Sequence, residues 1–274
     1  MNHKTIAVAN QKGGVAKTTT ALNLGVELAN LGRSVLVVDA DPQGSLTTSL
    51  GIRSPDELKM TLKDLMQSVV DDEEINAERA VIKLDEGIDL IPSNIELSGM
   101  ETSLLNTMSR EYVLKNTLSD ISRNYDYVLI DTMPSLGLMT INALAAADSV
   151  IIPCQPNFLS AKGLDLLFHT IARVRKQINP KLRIDGVLLT MVDTRTNNAK
   201  EIISSLRETV GTRINIFHSE IPRSVKVAES SLEGKSLNAH DAGCKAAQAY
   251  RELGKEVEDI GRKEQNRLRN DGVR

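Results

Sequence analysis

The sequence predicts one α/β domain, built on a mostly parallel, twisted sheet with helices on both faces. Short β-branched runs alternate with segments of helical periodicity, which is typical of βαβ units and a parallel sheet. The 274 residues are enough to bury one large core. No stretch rich in Pro, Gly and Ser interrupts the chain, so nothing marks a linker between two domains.

The alternation can be followed element by element. Seven runs predict strands, at Ile6–Ala9, Val35–Val38, Ile88–Ile91, Tyr127–Ile130, Val150–Ile152, Gly186–Val192 and Ile214–Phe217. Four longer segments predict helices, at Thr18–Leu31, Tyr112–Arg123, Gly163–Ile178 and Ala199–Val210. Because ligands of such sheets bind at the carboxyl ends of the strands, we expect the functional residues there.

The composition excludes several classes of protein. The longest apolar runs are far too short to cross a bilayer, and the N-terminus lacks the apolar stretch of a signal peptide. We therefore expect a cytoplasmic protein with no membrane partner. The two cysteines, Cys154 and Cys244, lie far apart and form neither a disulfide framework nor a C-x-x-C motif.

The charge is unevenly distributed between the halves of the chain. Residues 1–150 hold 12 Lys and Arg against 21 Asp and Glu, a net charge of -9, whereas residues 151–274 hold 21 against 15, a net charge of +6. A basic half indicates a polyanionic partner, and a solvated surface of mixed charge explains the counts equally well.

A phosphate-binding loop follows the first predicted strand. Residues 10–16 are rich in glycine and lead into a helix that begins near Lys17. Backbone N–H groups of such a loop converge on phosphate oxygens, while Lys17 neutralises phosphate charge and the Thr18 hydroxyl coordinates Mg²⁺. The stretch departs from G-x-x-x-x-G-K-[ST] because Gln11 and Ala16 occupy the glycine positions.

Four motifs together resemble one family of ATPases. "KGGVAKTTT" is similar to the deviant Walker A motif, K-G-G-x-G-K-[ST], of the ParA/MinD group of P-loop ATPases. "VVDADPQGSLTTSLG", "YDYVLIDTMPSLG" and "IPRSVKVAESSLEGKSL" follow in the order found in the ParA/Soj DNA-segregation branch. The resemblance implies a P-loop fold, ATP and Mg²⁺ as cofactors, an ATPase domain over residues 1–260 and a polar basic tail over residues 261–274.

The resemblance also implies roles for individual residues. Lys12 is the signature lysine that reaches the ATP of a dimer partner, Lys17 is the intrinsic lysine, and Asp41 positions the attacking water. The Mg²⁺ site would be formed by Thr18, Asp39 (through water) and Asp131, which closes an apolar strand as a Walker B aspartate does. A simple cap on the following turn is the alternative for Asp131. The nucleotide would be bound by Gly13, Gly14, Val15, Ala16, Lys17, Thr18, Thr19 and the adenine-side loop at Pro222 and Arg223.

Basic residues in the second half suggest contacts with DNA. Arg195 and Lys226 match positions where ParA/Soj proteins carry residues that contact DNA, which implies phosphate contacts independent of sequence. A further cluster is either a solvated face or a second DNA contact, and it comprises Arg173, Arg175, Lys176, Lys181 and Arg183. With no Trp, 3 Phe and 4 Tyr, the chain favours duplex backbone over stacked single strands.

Three other functions are alternatives for a chain with such a loop. A MinD-like membrane ATPase would end in an amphipathic helix, whereas here the stripe of Tyr250, Leu253, Val257 and Ile260 is followed by an almost wholly polar segment. The stripe is therefore expected to dock on the domain. A nitrogenase-iron-protein-like reductase would need cluster cysteines in a matching motif. A small-molecule kinase or ligase would need a dedicated acceptor pocket, which the sequence does not reveal.

The resemblance implies a partitioning ATPase for plasmid or chromosome DNA. Such a protein closes into a nucleotide-sandwich homodimer with Mg-ATP, binds nonspecific duplex DNA, and releases it after hydrolysis stimulated by a ParB-like centromere-binding protein. It would be associated with the nucleoid. The predicted first strand begins close to the N-terminus, as in the short ParA types that leave sequence reading to the partner.

Overall fold

The molecule is built on a single eight-stranded sheet with the order β3-β4-β2-β5-β1-β6-β7-β8. The computed structural model describes residues 3–74, 76–157, 160–193 and 197–271. The strands are β1 Lys4–Val8, β2 Val35–Ala40, β3 Ile82–Lys83, β4 Asp89–Ile91, β5 Tyr127–Thr132, β6 Ser149–Cys154, β7 Arg183–Val192 and β8 Ile216–Pro222. Every neighbouring pair is parallel except β3–β4, which is antiparallel at the edge.

Helices connect the strands. They are α1 Lys17–Asn30, α2 Ser45–Ser49, α3 Leu62–Val70, α4 Met100–Leu105, α5 Val113–Leu118, α6 Leu138–Ala146, α7 Ser160–Gln177, α8 Asn197–Thr209, α9 Val225–Glu233, α10 Leu237–Asp241 and α11 Lys245–Asp271. Short 3₁₀ turns lie at Pro55–Glu57, Ala77–Ala80, Ile95–Gly99, Arg110–Tyr112 and Ile121–Asn124.

Helices cover both faces of the sheet, as the alternation of side chains along each strand requires. On β2, Val35 and Val37 join the core cluster that includes residues of α1 and α11, whereas Leu36 and Val38 join the cluster that includes residues of α3 to α6. A third cluster, beneath α7 and α8, contains residues of β6 and β7. The predicted fold class is confirmed.

The predicted strands are confirmed with shifts of a few residues at their ends. The helical segment predicted at Tyr112–Arg123 is wrong as one helix, because α5 covers only Val113–Leu118 and 3₁₀ turns flank it. The side chain of Asn142 explains part of this break, since its Oδ1 accepts a hydrogen bond from Leu114 N and its Nδ2 donates to Arg110 O. Bonds from another helix thus replace bonds along this one.

The long C-terminal helix packs against α1 and β8. Tyr250, Leu253 and Val257 are fully buried there, which confirms that the apolar stripe docks on the domain. Glu258 anchors the helix further along, because it is paired with Arg33 and accepts a hydrogen bond from Tyr127 Oη at 3.1 Å. The helix continues to Asp271, so the predicted boundary between residues 260 and 261 lies inside it.

Candidate active site

The loop between β1 and α1 is braced from below by Asn10. Its Nδ2 donates to Pro153 O of β6 at 2.7 Å, and its Oδ1 accepts from Lys12 N at 3.0 Å. One amide side chain therefore joins the loop to a neighbouring strand and fixes its first turn. Gln11 adds a hydrogen bond to Gly163 O at 3.3 Å, which gives the polar residue at this position a structural use.

Two residues of the loop adopt left-handed backbone conformations. Gly14 has φ 69°, and Ala16 has φ 66° and ψ 34° immediately before α1. No side chain caps the amino end of α1, so its first backbone N–H groups face the loop. Such an end is a site for phosphate, because the N–H groups and the helix dipole both favour an anion.

The two lysines of the loop differ in their surroundings. Lys17 is only 7% exposed, and its Nζ donates to Lys12 O at 3.3 Å. Burial lowers the pKa of Lys17, although the carboxylates of Asp131 and Asp41 act in the opposite sense. The Lys12 side chain is exposed to solvent. Lys17 thus belongs to the interior of its own site, whereas Lys12 lies at the protein surface.

Two carboxylates lie side by side at the carboxyl ends of β2 and β5, where Asp39 and Asp131 are direct partners in the strand register. The Asp39 carboxylate accepts hydrogen bonds from Thr47 N at 2.8 Å, Thr47 Oγ1 at 2.7 Å and Asp41 N at 3.3 Å. Burial raises the pKa of Asp39 to about 6, although these hydrogen bonds oppose the shift. Asp39 is therefore a buried carboxylate with most of its hydrogen-bonding capacity used.

Asp131 is buried as completely as Asp39, but neither of its carboxylate oxygens has a hydrogen-bond partner among the described residues. Burial and the Asp39 carboxylate raise the pKa of Asp131 well above its ordinary value, against the influence of Thr18 and Lys17. A buried carboxylate without partners is costly unless a cation completes it. This arrangement indicates a cation site beside Asp131.

The residues around Asp131 fit Mg²⁺. The described part of the chain contains no group of three His, Cys, Asp or Glu side chains able to hold a metal by themselves. Mg²⁺ in nucleotide sites typically takes one or two carboxylates and completes its shell with phosphate oxygens and water. Asp131 and the nearby Thr18 hydroxyl match that partial set, with Asp39 behind them.

A cavity of about 560 Å³ opens above the loop. Its lining includes Gly13, Gly14, Ala16, Lys17, Thr18, Thr19, Asp41, Gln43, Ser45 and Pro134. It also includes Met191, Ile221, Pro222, Arg223, Ser224, Val227, Ala228, Ser231 and Tyr250. A cavity lined both by cationic and polar groups and by apolar side chains suits a ligand with phosphates and a flat ring system.

The structure brings most of the predicted site residues together. Asp41 lies at the cavity wall, only 9% exposed, and its Oδ1 accepts a hydrogen bond from Gln43 N at 3.0 Å. Val15 is buried beneath the loop, where its carbonyl accepts a hydrogen bond from Thr190 Oγ1 at 3.1 Å. Arg195 lies outside the described residues. Lys226 lies on α9, and its Nζ is paired with Glu229 at 2.9 Å.

Several residues of the site were not predicted from the sequence, and three of them stand out by their contacts or backbone conformation. Thr47 holds Asp39 through two hydrogen bonds, and Tyr250 reaches the cavity from α11 while its Oη lies 3.2 Å from Thr20 Oγ1. Met191 lines the cavity and has φ 54°, at a point where the register between β7 and β8 is irregular. Tyr250 belongs to a visible helical stripe, but no pattern in the sequence marks the other two.

Comparisons with known proteins agree with this geometry. The sequence profile of a family described as an AAA domain matches residues 3–184. Over 254 residues the chain is 43% identical to the sporulation initiation inhibitor protein Soj of Bacillus subtilis, covering 93% of this chain and 98% of that protein. It is 42% identical to the chromosome partitioning protein ParA of Caulobacter vibrioides, covering 93% of each. The chain belongs to the ParA/Soj family of P-loop ATPases.

A solved structure supports the cofactors of this ParA/Soj chain. A Mycobacterium smegmatis protein, described as a cobyrinic acid a,c-diamide synthase with bound ATP analogue and magnesium, is 37% identical with a TM-score of 0.80 and covers 93% of each chain. This ParA/Soj chain is an ATPase that uses ATP and Mg²⁺. In the described part of the chain, no helix is long and apolar enough to span a membrane.

Proposed function

We propose that this ParA/Soj chain segregates plasmid or chromosome DNA by an ATP-driven cycle of dimerisation, DNA binding and release. The observation that carries the proposal is the contrast between the lysines of the loop. Lys17 is buried in its own cavity, whereas Lys12 is exposed beside it. An exposed lysine at the mouth of a phosphate site is placed to reach the phosphates of a second subunit, as an arginine finger does in trans.

Each residue of the cavity then has a part in ATP binding and hydrolysis. The Gly13–Ala16 backbone and Lys17 would hold the phosphates, while Thr18 and Asp131 would hold Mg²⁺ with Asp39 behind them. The metal would neutralise charge that develops on the phosphates. Asp41, whose carboxylate faces the cavity from a turn fixed by its hydrogen bond with Gln43, would orient the attacking water.

Dimerisation makes the ATP state distinct from the ADP state. A ligand shifts a two-state equilibrium only by its difference in affinity for the two states. Contacts from Lys12 to the γ-phosphate of the partner would supply that difference, because ADP lacks this group. Hydrolysis would then release the dimer.

DNA would be bound through phosphate contacts. Lys226 and Arg195 are the proposed contacts, and Lys226 lies on α9, which also lines the nucleotide cavity with Val227, Ala228 and Ser231. A nucleotide bound in the cavity would therefore affect the position of Lys226 through this one helix. A ParB-like partner bound to a centromere would stimulate hydrolysis, and the ATP state would be found on the nucleoid.

Two alternatives differ in their targets. A MinD-like ATPase would bind lipid in the ATP state. A ligase would need an acceptor pocket next to the phosphates. A second cavity, of about 700 Å³, is lined by residues of α3, the segment after it, α5 and the turn at Ile121–Asn124, and shares no residue with the nucleotide cavity. This placement does not favour a ligase.

The test is binding to duplex DNA of random sequence with ATP, ADP or no nucleotide, across a salt series. Wild type should bind most tightly with ATP, and its affinity should fall steeply as salt increases. Lys17→Ala should lose both productive ATP binding and the ATP-dependent increase in DNA affinity. Lys12→Ala should still bind ATP but should lose the ATP-dependent increase in DNA affinity.

Two results would count against the proposal. ATP affinity equal to wild type in Lys17→Ala would remove the nucleotide assignment. ATP-dependent binding to anionic vesicles, without ATP-dependent binding to duplex, would favour the MinD-like alternative. The ATPase rate with duplex, with vesicles and with neither provides an independent readout.

A further inference from the structure

Exposed cations gather at the end of the sheet opposite the nucleotide cavity. The cavity lies beyond the carboxyl ends of the parallel strands, so the amino ends of β6, β7 and β8 mark the opposite end. There α7 ends at Gln177, β7 begins at Arg183, and residue 213 precedes β8. We name this surface the basic pole, and it comprises Arg173, Arg175, Lys176, Lys181, Arg183 and Arg213, all exposed.

The backbone of the basic pole is held firmly in place. The turn after α7 is closed by hydrogen bonds from Asn179 N to Val174 O and from Leu182 N to Asn179 O. The Asn179 side chain also donates to Ala147 O at 2.7 Å, and this joins the turn to the end of α6. On the β8 side, Asn215 Nδ2 donates to Asp185 O at 2.8 Å. The cations therefore project from a fixed surface.

Most of the cations in the basic pole are not neutralised by a nearby carboxylate. Residues 173–183 contain five basic residues and no acidic residue. Among the described residues, Arg173, Arg175, Lys176, Lys181 and Arg213 form no ion pair within 4.0 Å.

Two acidic residues that adjoin the pole have partners outside it. Asp185 is buried and paired with Lys4 at 3.0 Å, and Asp148 accepts a hydrogen bond from Thr5 N at 2.8 Å. Lys226, the proposed DNA contact on α9, differs from the pole because Glu229 neutralises it.

Helix stability explains only part of the cluster. Arg175 and Lys176 lie in the last turn of α7, where cations interact favourably with the helix dipole. Lys181, Arg183 and Arg213 lie outside any helix, so this effect does not account for them. A surface that brings exposed cations from three chain segments together is typical of a polyanion contact.

We propose that the basic pole is a second contact surface for duplex DNA phosphates, and that it acts in every nucleotide state. This proposal rests on the proposed function for the identity of the polyanion as DNA, but the location of the contact surface does not depend on that function. Since the pole lies at the opposite end from the cavity, closure of a nucleotide sandwich would neither create nor bury it. After hydrolysis, a chain would stay loosely attached to DNA instead of leaving it completely.

A duplex fits this surface better than a bilayer does. Stable membrane attachment by a cationic surface needs apolar side chains that enter the lipid. The exposed large apolar residues of the described chain are Leu31, Ile95, Leu105, Met108, Leu166, Val225 and Leu232, and none lies within residues 173–183 or next to Arg213 in sequence. Phosphate contact through Lys and Arg alone suits nonspecific duplex binding.

The test compares two triple variants that remove the same charge. R175Q/K176Q/K181Q alters the basic pole, while K59Q/K83Q/K255Q removes three exposed lysines elsewhere. Binding to random duplex is measured by fluorescence anisotropy with no nucleotide, ADP and ATP, at several salt concentrations. The unstimulated ATPase rate checks that each variant is folded, and R175K/K181R, which conserves charge, should bind as wild type does.

The pole variant should lose about tenfold or more of the nucleotide-free affinity at low salt. Its slope of log affinity against log salt should be shallower by about 2 to 3, the value for three lost phosphate contacts. Its ratio of affinities with and without ATP should stay within about twofold of wild type. The control variant should match wild type in DNA affinity and salt slope, apart from a small decrease caused by its more negative net charge.

Four outcomes would overturn the inference. One is a pole variant whose affinity and salt slope equal those of the control. Another is loss confined to the ATP-dependent gain, which would place these cations in the dimer-dependent surface. A wild type that binds duplex only with ATP would also overturn it and leave the proposed function standing, whereas no duplex binding in any state would remove both.

Discussion

Ala16 carries the clearest local strain in the site. Its φ of 66° is in the left-handed region, where a Cβ costs about 1 to 2 kcal/mol. Strained residues of this kind persist where the surrounding structure determines them, and they occur often at functional sites. Here the next residue is Lys17, so the strain lies beside the side chain that would neutralise the phosphates.

Ala16→Gly should raise the free energy of unfolding by about 0.5 to 1 kcal/mol, because relief of the strain exceeds the added entropy of the unfolded chain. Chemical denaturation measures this directly. Ser109→Gly is a matched control, since Ser109 has φ 53° and does not line the nucleotide cavity. If Ala16 also displaces Lys17, only Ala16→Gly should increase ATP turnover; unchanged ATP affinity and turnover would show that the alanine is neutral for function.

The shifted pKa of Asp39 makes the free energy of unfolding depend on pH. Its pKa in the folded protein, about 6, lies above the value of 3.8 for an unperturbed Asp. Below pH 6 the folded state therefore binds more protons than the unfolded state, and this group makes the nucleotide-free protein more stable as pH falls from 7 to 5. The expected contribution is about 1 kcal/mol over that interval.

Asp39→Asn should flatten this part of the pH dependence, because the amide cannot take up the proton but still accepts the hydrogen bonds from Thr47. The measurement is denaturant unfolding at several pH values without nucleotide or Mg²⁺. Asp85→Asn, at an exposed carboxylate, is the control and should leave the slope as in wild type. An unchanged slope in Asp39→Asn would show that Asp39 does not titrate in this range.

At the scale of elements, two helix ends meet through glycine. Gly51 follows α2 with φ 91°, and Gly234 follows α9 with φ 71°. A Cβ on Gly234 would lie 2.5 Å from Gly51 Cα, closer than such atoms can approach. This contact places α9, which lines the cavity, against α2, whose Thr47 donates hydrogen bonds to Asp39.

Gly234→Ala should therefore destabilise the protein by at least about 2 to 3 kcal/mol, the sum of a left-handed penalty and a backbone clash. Gly32→Ala is the matched control, because Gly32 also follows a helix and has φ 80°, and a methyl group there would meet no neighbouring atom within 4 Å. It should lose about 1 kcal/mol. Equal losses of unfolding free energy in the two variants would mean that α2 and α9 can move apart to accept the methyl group without destabilising the protein.

At the scale of the whole molecule, the two ends of the sheet have different chemistry. The carboxyl ends hold the nucleotide cavity and the paired aspartates, whereas the amino ends of β6 to β8 carry the basic pole. The long helix α11 crosses between them, from Tyr250 at the cavity to Glu258 beside Tyr127. Nucleotide chemistry and the proposed pole contact are thus spatially separate.

Asp41→Ala should leave ATP-dependent dimerisation intact and slow hydrolysis by on the order of 100-fold, because it removes the group proposed to orient water. Sedimentation velocity with ATP and with ADP measures the dimer, and phosphate release measures hydrolysis. Lys17→Ala is the negative control and should stay monomeric. Loss of nucleotide binding in Asp41→Ala would instead show that its hydrogen bond with Gln43 N is structural.

The strands and the phosphate loop could be predicted because their signals are local. Buried parallel strands are continuous apolar runs, and Lys17 and Thr18 follow the first of them at a fixed spacing. The broken helix around α5 was not predictable, because Asn142 of another helix takes its backbone bonds. Thr47 and Met191 could not be predicted for the same reason: their importance comes from partners distant in sequence.

By itself the sequence determined the fold class, the family and the residues of the loop, since each depends on short-range pattern. Only the tertiary structure decided which of these residues share an environment. The register of β2 and β5 places Asp39 against Asp131, and among the described residues burial then leaves Asp131 without a partner. The end of α7 and the starts of β7 and β8 likewise bring cations from separate segments to one pole. Desolvation and charge density depend on proximity in space, which periodicity along a chain does not specify.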